Sequence, residues 1–181
     1  ICKMSAQALI LNFILKRYVK SVKSSPENSS YTDARKLMNQ KGYEDKNQNF
    51  VSKILLNKIF DKKKYDIIIS ELYFDKIRTL KFTSPSFDQE KCILYFHGGG
   101  YVAGSPETHQ NFLMALSKKS QISIYAIDYS LAPENHYPAA LNDAVASYKC
   151  LLDMGYKAEN IFMGGDSAGG NLTLVSVLKL Q

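Results

Sequence analysis

The chain has 181 residues, 45% of them hydrophobic and 22% charged, enough for a domain with its own core and within the ordinary globular range. Its formal charge of +6 comes from scattered lysines, such as Lys62-Lys63-Lys64. With no basic face and no interleaved aromatics, this balance argues against a nucleic-acid partner and for a solvated surface.

Residues 1–64 read as helical and polar. Helices are predicted over Ser5–Ser24, from Thr32 to Gly42 and over Asn47–Phe60, with a turn at Ser24–Ser30. The apolar run Ala8–Leu15 is too short to span a bilayer and stops at Lys16-Arg17. It also lacks a basic leader and a small-residue cleavage site, so neither a transmembrane segment nor a secretory signal is expected. The three cysteines, Cys2, Cys92 and Cys150, have no metal-ligand spacing. Cys92 and Cys150 read as buried thiols, and a reducing, cytoplasmic setting is the simplest inference.

From about Asp66 the pattern turns to strands. Asp66–Phe74 and Ile77–Thr83 are β-branched and aromatic, and Asp75-Lys76 between them predicts a hairpin. Cys92–Phe96 and Ile122–Ile127 are unbroken apolar runs, as in strands buried on both faces of a parallel sheet. Helices are predicted over Glu107–Ser120 and from Ala139 to about Met154, ending near Gly155. A strand at Asn160–Met163 and a helix over Asn171–Leu180 follow. This alternation predicts an α/β fold, a mostly parallel sheet covered by helices.

Two motifs carry chemistry. In Gly165-Asp166-Ser167-Ala168-Gly169-Gly170 a serine stands at a strand–turn–helix junction, the setting of a nucleophile elbow. A side chain at Gly165 or Gly169 would collide with the tight turn. In His97-Gly98-Gly99-Gly100, consecutive glycines after a buried strand leave backbone N–H groups open to a developing oxyanion. The stretch Gly98–Ala103 also fits a loose dinucleotide pattern, with Asp128 as a ribose-binding acid. Against that, Gly104-Ser105-Pro106 delays the next helix, and such a site gives no role to the serine turn.

These motifs, with Asp128-Tyr129-Ser130-Leu131-Ala132-Pro133-Glu134 and Tyr137-Pro138-Ala139-Ala140, resemble those of the hormone-sensitive-lipase-like esterases. The resemblance runs from about Tyr65 to the end. It implies an α/β-hydrolase fold: a helical cap over 1–64 and the N-terminal part of the catalytic domain over 65–181. It implies that Ser167 is the nucleophile and that the N–H groups of Gly98, Gly99 and Ala168 form the oxyanion hole. His97 would brace the glycine loop beside Gly100, and Asp166 would stabilise the elbow. Glu134 and Asp143 would tie loop to helix. Phe13, Tyr18 and Leu37 would pack within the cap or shape the pocket. The implied partner is a small-molecule ester with short- to medium-chain acyl groups, with no metal and no cofactor; homo-oligomerisation stays open. Ser130 stands where the family usually has arginine, which is expected to alter local packing.

A serine hydroxyl needs a histidine to take its proton, and in this fold serine, acid and histidine follow in that order. The segment Ala168–Gln181 contains no His, Asp or Glu, and His97, His109 and His136 all precede Ser167. His109 falls in the first turn of a predicted helix, and His136 beside Pro138 is the one unusual candidate base. The expectation is an N-terminal portion of an esterase, cut before its last strands and inactive alone. It would have a bare sheet edge at the elbow strand and poor solubility. A hydrolase-like receptor that has lost its histidine is the other reading.

Overall fold

The computed structural model describes Arg35 and residues 66–181. The chain divides into two compact units, Ile1–Ala34 and Arg35–Gln181. The helices expected over 1–64, the apolar run Ala8–Leu15 and Cys2 lie outside the described residues. Arg35 alone of that stretch is described, and it is helical.

Strands β1 (Ile68–Phe74) and β2 (Ile77–Thr83) form the expected hairpin, with Phe74 paired to Ile77 across Asp75-Lys76. Asp75 adopts φ 52, the positive value that lets a two-residue loop follow the strand twist. Three further strands follow: β3 (Asp88–Phe96), β4 (Ile122–Ile127) and β5 (Ile161–Gly165). Between and after them come helices α1 (Gln110–Ser120), α2 (Ala139–Asp153) and α3 (Ala168–Leu180). The sheet order is β1-β2-β4-β3-β5. The apolar strands β4, β3 and β5 pair in parallel, and the hairpin joins β4 antiparallel, so the sheet is mixed.

Period-two alternation sends side chains of one strand to opposite faces. Cys92, Leu94 and Phe96 of β3, with Tyr125 and Ile127 of β4, pack on the face that holds Ala144 and Leu151 of α2 and Leu172 of α3. Tyr95, Ile124 and Ala126 point the other way, against Leu113 and Met114 of α1. An unbroken apolar run is therefore divided between two cores.

Three boundaries differ most from expectation. β3 starts at Asp88 through a polar stretch with a register shift before Cys92, which the apolar signal does not reveal. α1 starts at Gln110 instead of Glu107. The preceding residues close as tighter turns, with N–H bonds from Thr108 to Ser105 at 3.2 Å and from His109 to Pro106 at 3.3 Å. α3 starts at Ala168 instead of Asn171, because the elbow drives the chain straight from strand into helix despite Gly169 and Gly170. Gly155, at φ 98, closes α2 as predicted.

The connections decide where a ligand can sit. The chain leaves β3 for α1 on one face, and leaves the adjacent β5 for α3 on the other. In open α/β sheets the crevice at the carboxyl ends of such strands is the binding position. β5 forms the sheet edge, and Phe162, Leu174, Val177 and Leu178 are exposed beside it, as expected.

Candidate active site

Phe96 and Gly165, the last residues of β3 and β5, are partners in register. The glycine loop and the elbow therefore start side by side. Ser167 is exposed and sits at φ 51, ψ −117, a positive-φ conformation rare for a residue with a side chain. Such a conformation persists only where the surroundings enforce it. Here a Cβ on Gly169 would overlap the Phe96 carbonyl, and one on Gly165 would strike Gly169. Bare backbone alone lets α3 approach β3 closely enough to lift the serine out of the sheet.

The glycine loop is held by different means. His97 is buried and stacks on Tyr129 with ring centroids 4.3 Å apart. Its Nδ1–H donates to the Gly98 carbonyl at 2.8 Å, and the Tyr129 hydroxyl donates to the His97 carbonyl at 2.7 Å. Burial, helped by the nearby His109 and opposed by the Gly98 carbonyl, takes the His97 pKa down to about 4, so the ring is neutral near pH 7. Gly99 has φ 130, and a Cβ there would overlap the Ala103 carbonyl, so the turn demands glycine. The Tyr101 hydroxyl donates to Asn171 Oδ1 at 2.8 Å, tying the loop to α3.

Asp166 links the two motifs. Its Oδ1 accepts from the Gly98 N–H at 2.9 Å and from the Tyr95 hydroxyl at 2.8 Å, and lies 3.2 Å from His109 Nε2. Burial opposes its charge, yet the bonds from His109 and Tyr95, the His109 charge and the Gly98 amide hold its pKa at about 2. This corrects one expectation: the Gly98 N–H is turned to a carboxylate and is not open to substrate. Among the described residues, the N–H groups of Gly99, Gly100 and Ala168 have no hydrogen-bond acceptor. Sequence reasoning also missed the pairing of His109 with Asp166. No local pattern encodes it, since the two meet only through the β3–β5 pairing.

The remaining residues act as struts. Asp143 Oδ2 accepts the Ser130 N–H at 2.8 Å, joining the loop after β4 to α2. Glu134 pairs with Arg35 at 2.8 and 2.7 Å, while Arg35 also donates to the Val102 carbonyl at 2.7 Å and to that of Ala132. Asp128 faces Arg78 at 3.4 Å, and α1 opens only at Gln110, so no helix starts on the glycines as a dinucleotide site requires. His136 is exposed. None of the three histidines hydrogen-bonds the Ser167 hydroxyl. Among the described residues no three His, Cys, Asp or Glu side chains cluster as metal ligands, and no helix is long and apolar enough to cross a membrane.

The family described as alpha/beta hydrolase fold matches residues 93–181. An acetyl-hydrolase from Streptomyces hygroscopicus is 35% identical over 103 residues, 57% of this chain and 34% of that protein. Human hormone-sensitive lipase is 40% identical over 92 residues, 48% of this chain and 8% of the lipase. The crystal structure of an esterase from the bacterial hormone-sensitive lipase family superposes with a TM-score of 0.70 at 30% identity. The match covers 90% of this chain and 49% of that one. The chain thus spans about half the length of that structure and a third of the acetyl-hydrolase. Over residues 93–181 it matches the α/β-hydrolase fold family, and in sequence and fold it resembles the hormone-sensitive-lipase-like esterases.

Proposed function

We propose that the protein is a carboxylic-ester hydrolase, acting on short- to medium-chain acyl esters through an acyl-Ser167 intermediate. The observation that carries this reading is the strained Ser167, exposed at the carboxyl end of β5 and joined through Asp166 to the glycine loop. Ser167 Oγ attacks the ester carbonyl carbon as its proton passes to a base, giving a tetrahedral intermediate. The oxyanion is met by the N–H groups of Gly99 and Ala168, with Gly100 beside them, each free of a protein acceptor among the described residues. Collapse expels the alcohol, and water then releases the acid from Ser167.

The base is none of the three histidines in this chain. His97 is walled in and neutral, His109 is engaged by Asp166, and His136 lies exposed in the loop before α2. Among the described residues no side chain hydrogen-bonds the Ser167 hydroxyl. Residues 1–64 contribute a helical cap, a reading supported by helical Arg35 and its bonds to Val102, Ala132 and Glu134. Free thiols at Cys92 and Cys150, the first with its pKa pushed up by burial to about 12, fit a reducing cytoplasm. The esterase and hydrolase names of the relatives do not favour a non-catalytic receptor.

The test is hydrolysis of p-nitrophenyl butyrate by the full-length protein, together with labelling by a fluorophosphonate. Ser167→Ala is expected to abolish both turnover and labelling. Undiminished turnover in that variant overturns the assignment.

A further inference from the structure

His109 differs from the other histidines in what surrounds its two ring nitrogens. Nε2 faces Asp166 Oδ1 at 3.2 Å. Nδ1 lies 2.9 Å from Thr108 Oγ1 and 3.3 Å from the Ser105 carbonyl. The Thr108 hydroxyl already donates its single proton to the Ser105 carbonyl at 2.7 Å, and it accepts the Ser105 N–H at 3.1 Å. It can only accept from the ring. Both ring nitrogens therefore face acceptors, an arrangement complete only when both carry protons.

We propose that His109 is a positioning residue for acyl transfer: as an imidazolium gripped by the Ser105 turn, it anchors the carboxylate that holds the Gly98 amide. Through Asp166 it sets the glycine loop against the elbow. The next amide along the loop, that of Gly99, is among those offered to the oxyanion, so tension at Gly98 is transmitted directly to the donors. This inference rests on the assignment of Ser167 as nucleophile.

The surroundings agree. Burial works against a charge on His109, but the Asp166 carboxylate and the Ser105 carbonyl outweigh it and raise its pKa. The titratable groups that face it are Asp166 from the elbow and Tyr95 and His97 from the end of β3; Glu107, two residues before it, pairs with Arg78. Tyr95 is pushed far above its ordinary value and His97 is neutral, so neither contributes a charge near pH 7. Because the folded pKa of His109 is raised, the cation is complete below the ordinary histidine value and is lost as pH rises through the folded one.

Two measurements on the full-length protein decide the matter. In the first, nitrogen shifts of the His109 ring are followed against pH in the wild type and in Asp166→Asn. An imidazolium that persists above about pH 6.5 in the wild type and deprotonates earlier in the variant supports the proposal. A neutral ring by that pH overturns it, and this arm needs no change at His109. In the second, His109→Gln is compared with wild type on p-nitrophenyl butyrate. A fall in kcat of up to about 100-fold, with KM little changed and the His109-dependent alkaline decline gone, is expected for misplaced donors. Unaltered kcat and pH profile overturn the proposal. If Ser167→Ala remains active, the hydrolase reading itself fails, whatever His109 does.

Discussion

The two walls of the β3–β5 crevice are built on different physics. On the elbow side, Gly165 and Gly169 bring backbone against backbone, and Ser167 is forced to φ 51 by the exclusion of side chains. On the glycine-loop side, geometry is held by Tyr129, His97 and Asp166 through hydrogen bonds and charge. Steric exclusion has no pH dependence and tolerates no substitution. A bonded loop can be weakened by degrees and responds to protonation. The proposed nucleophile thus stands on the rigid wall, and the amides proposed as oxyanion donors hang partly from the adjustable one.

The largest expected effect is on the rigid wall. Gly169→Ala places a methyl group into the Phe96 and His97 carbonyls. Overpacking of this kind costs about 1–3 kcal/mol or more, seen as a drop in melting temperature with loss of turnover. A normal melt with full activity would break the contrast. Asp166→Asn removes the charge shared by three donors. Bonds to a charged group are worth about 1.5–3 kcal/mol, less here because the carboxylate is 47% exposed and solvent screens it. Thermal melts with kinetics on p-nitrophenyl butyrate measure this, and activity should fall more than stability.

The pH dependence sharpens the same point. With its folded pKa depressed to about 2, Asp166 contributes stability that is full above the ordinary aspartate value near 3.9. That stability is lost as pH falls through the interval toward about 2. Melts between pH 5 and 2 should show this loss in wild type and not in Asp166→Asn. The smallest effect belongs to Tyr129→Phe, which deletes one hydrogen bond to the His97 carbonyl and leaves the ring stacking in place. About 0.5–1.5 kcal/mol is expected from denaturant titration.

The strands were legible because apolar runs and turn residues are local signals. The hairpin at Asp75-Lys76 and the bounds of β2 and β4 fell where predicted. The polar start of β3 and the first turn of α3 were not legible. In the first, strand pairing overrides composition; in the second, the elbow imposes helix on glycines. The serine turn and the glycine loop were visible as motifs. The direction of the Gly98 amide and the partner of His109 were not, because each depends on what another strand brings within 3 Å or so.

The residues by themselves determined the chemical kinds present and their local frames: a serine on a glycine-bounded turn, an open glycine loop, and apolar runs fit for a sheet. Spacing and propensity act over a few residues, and that range suffices for such features. Tertiary structure alone decided which amides stay open, which histidine meets a carboxylate and where the crevice lies. Those outcomes follow from pairing β3 with β5, a contact between segments far apart in the chain.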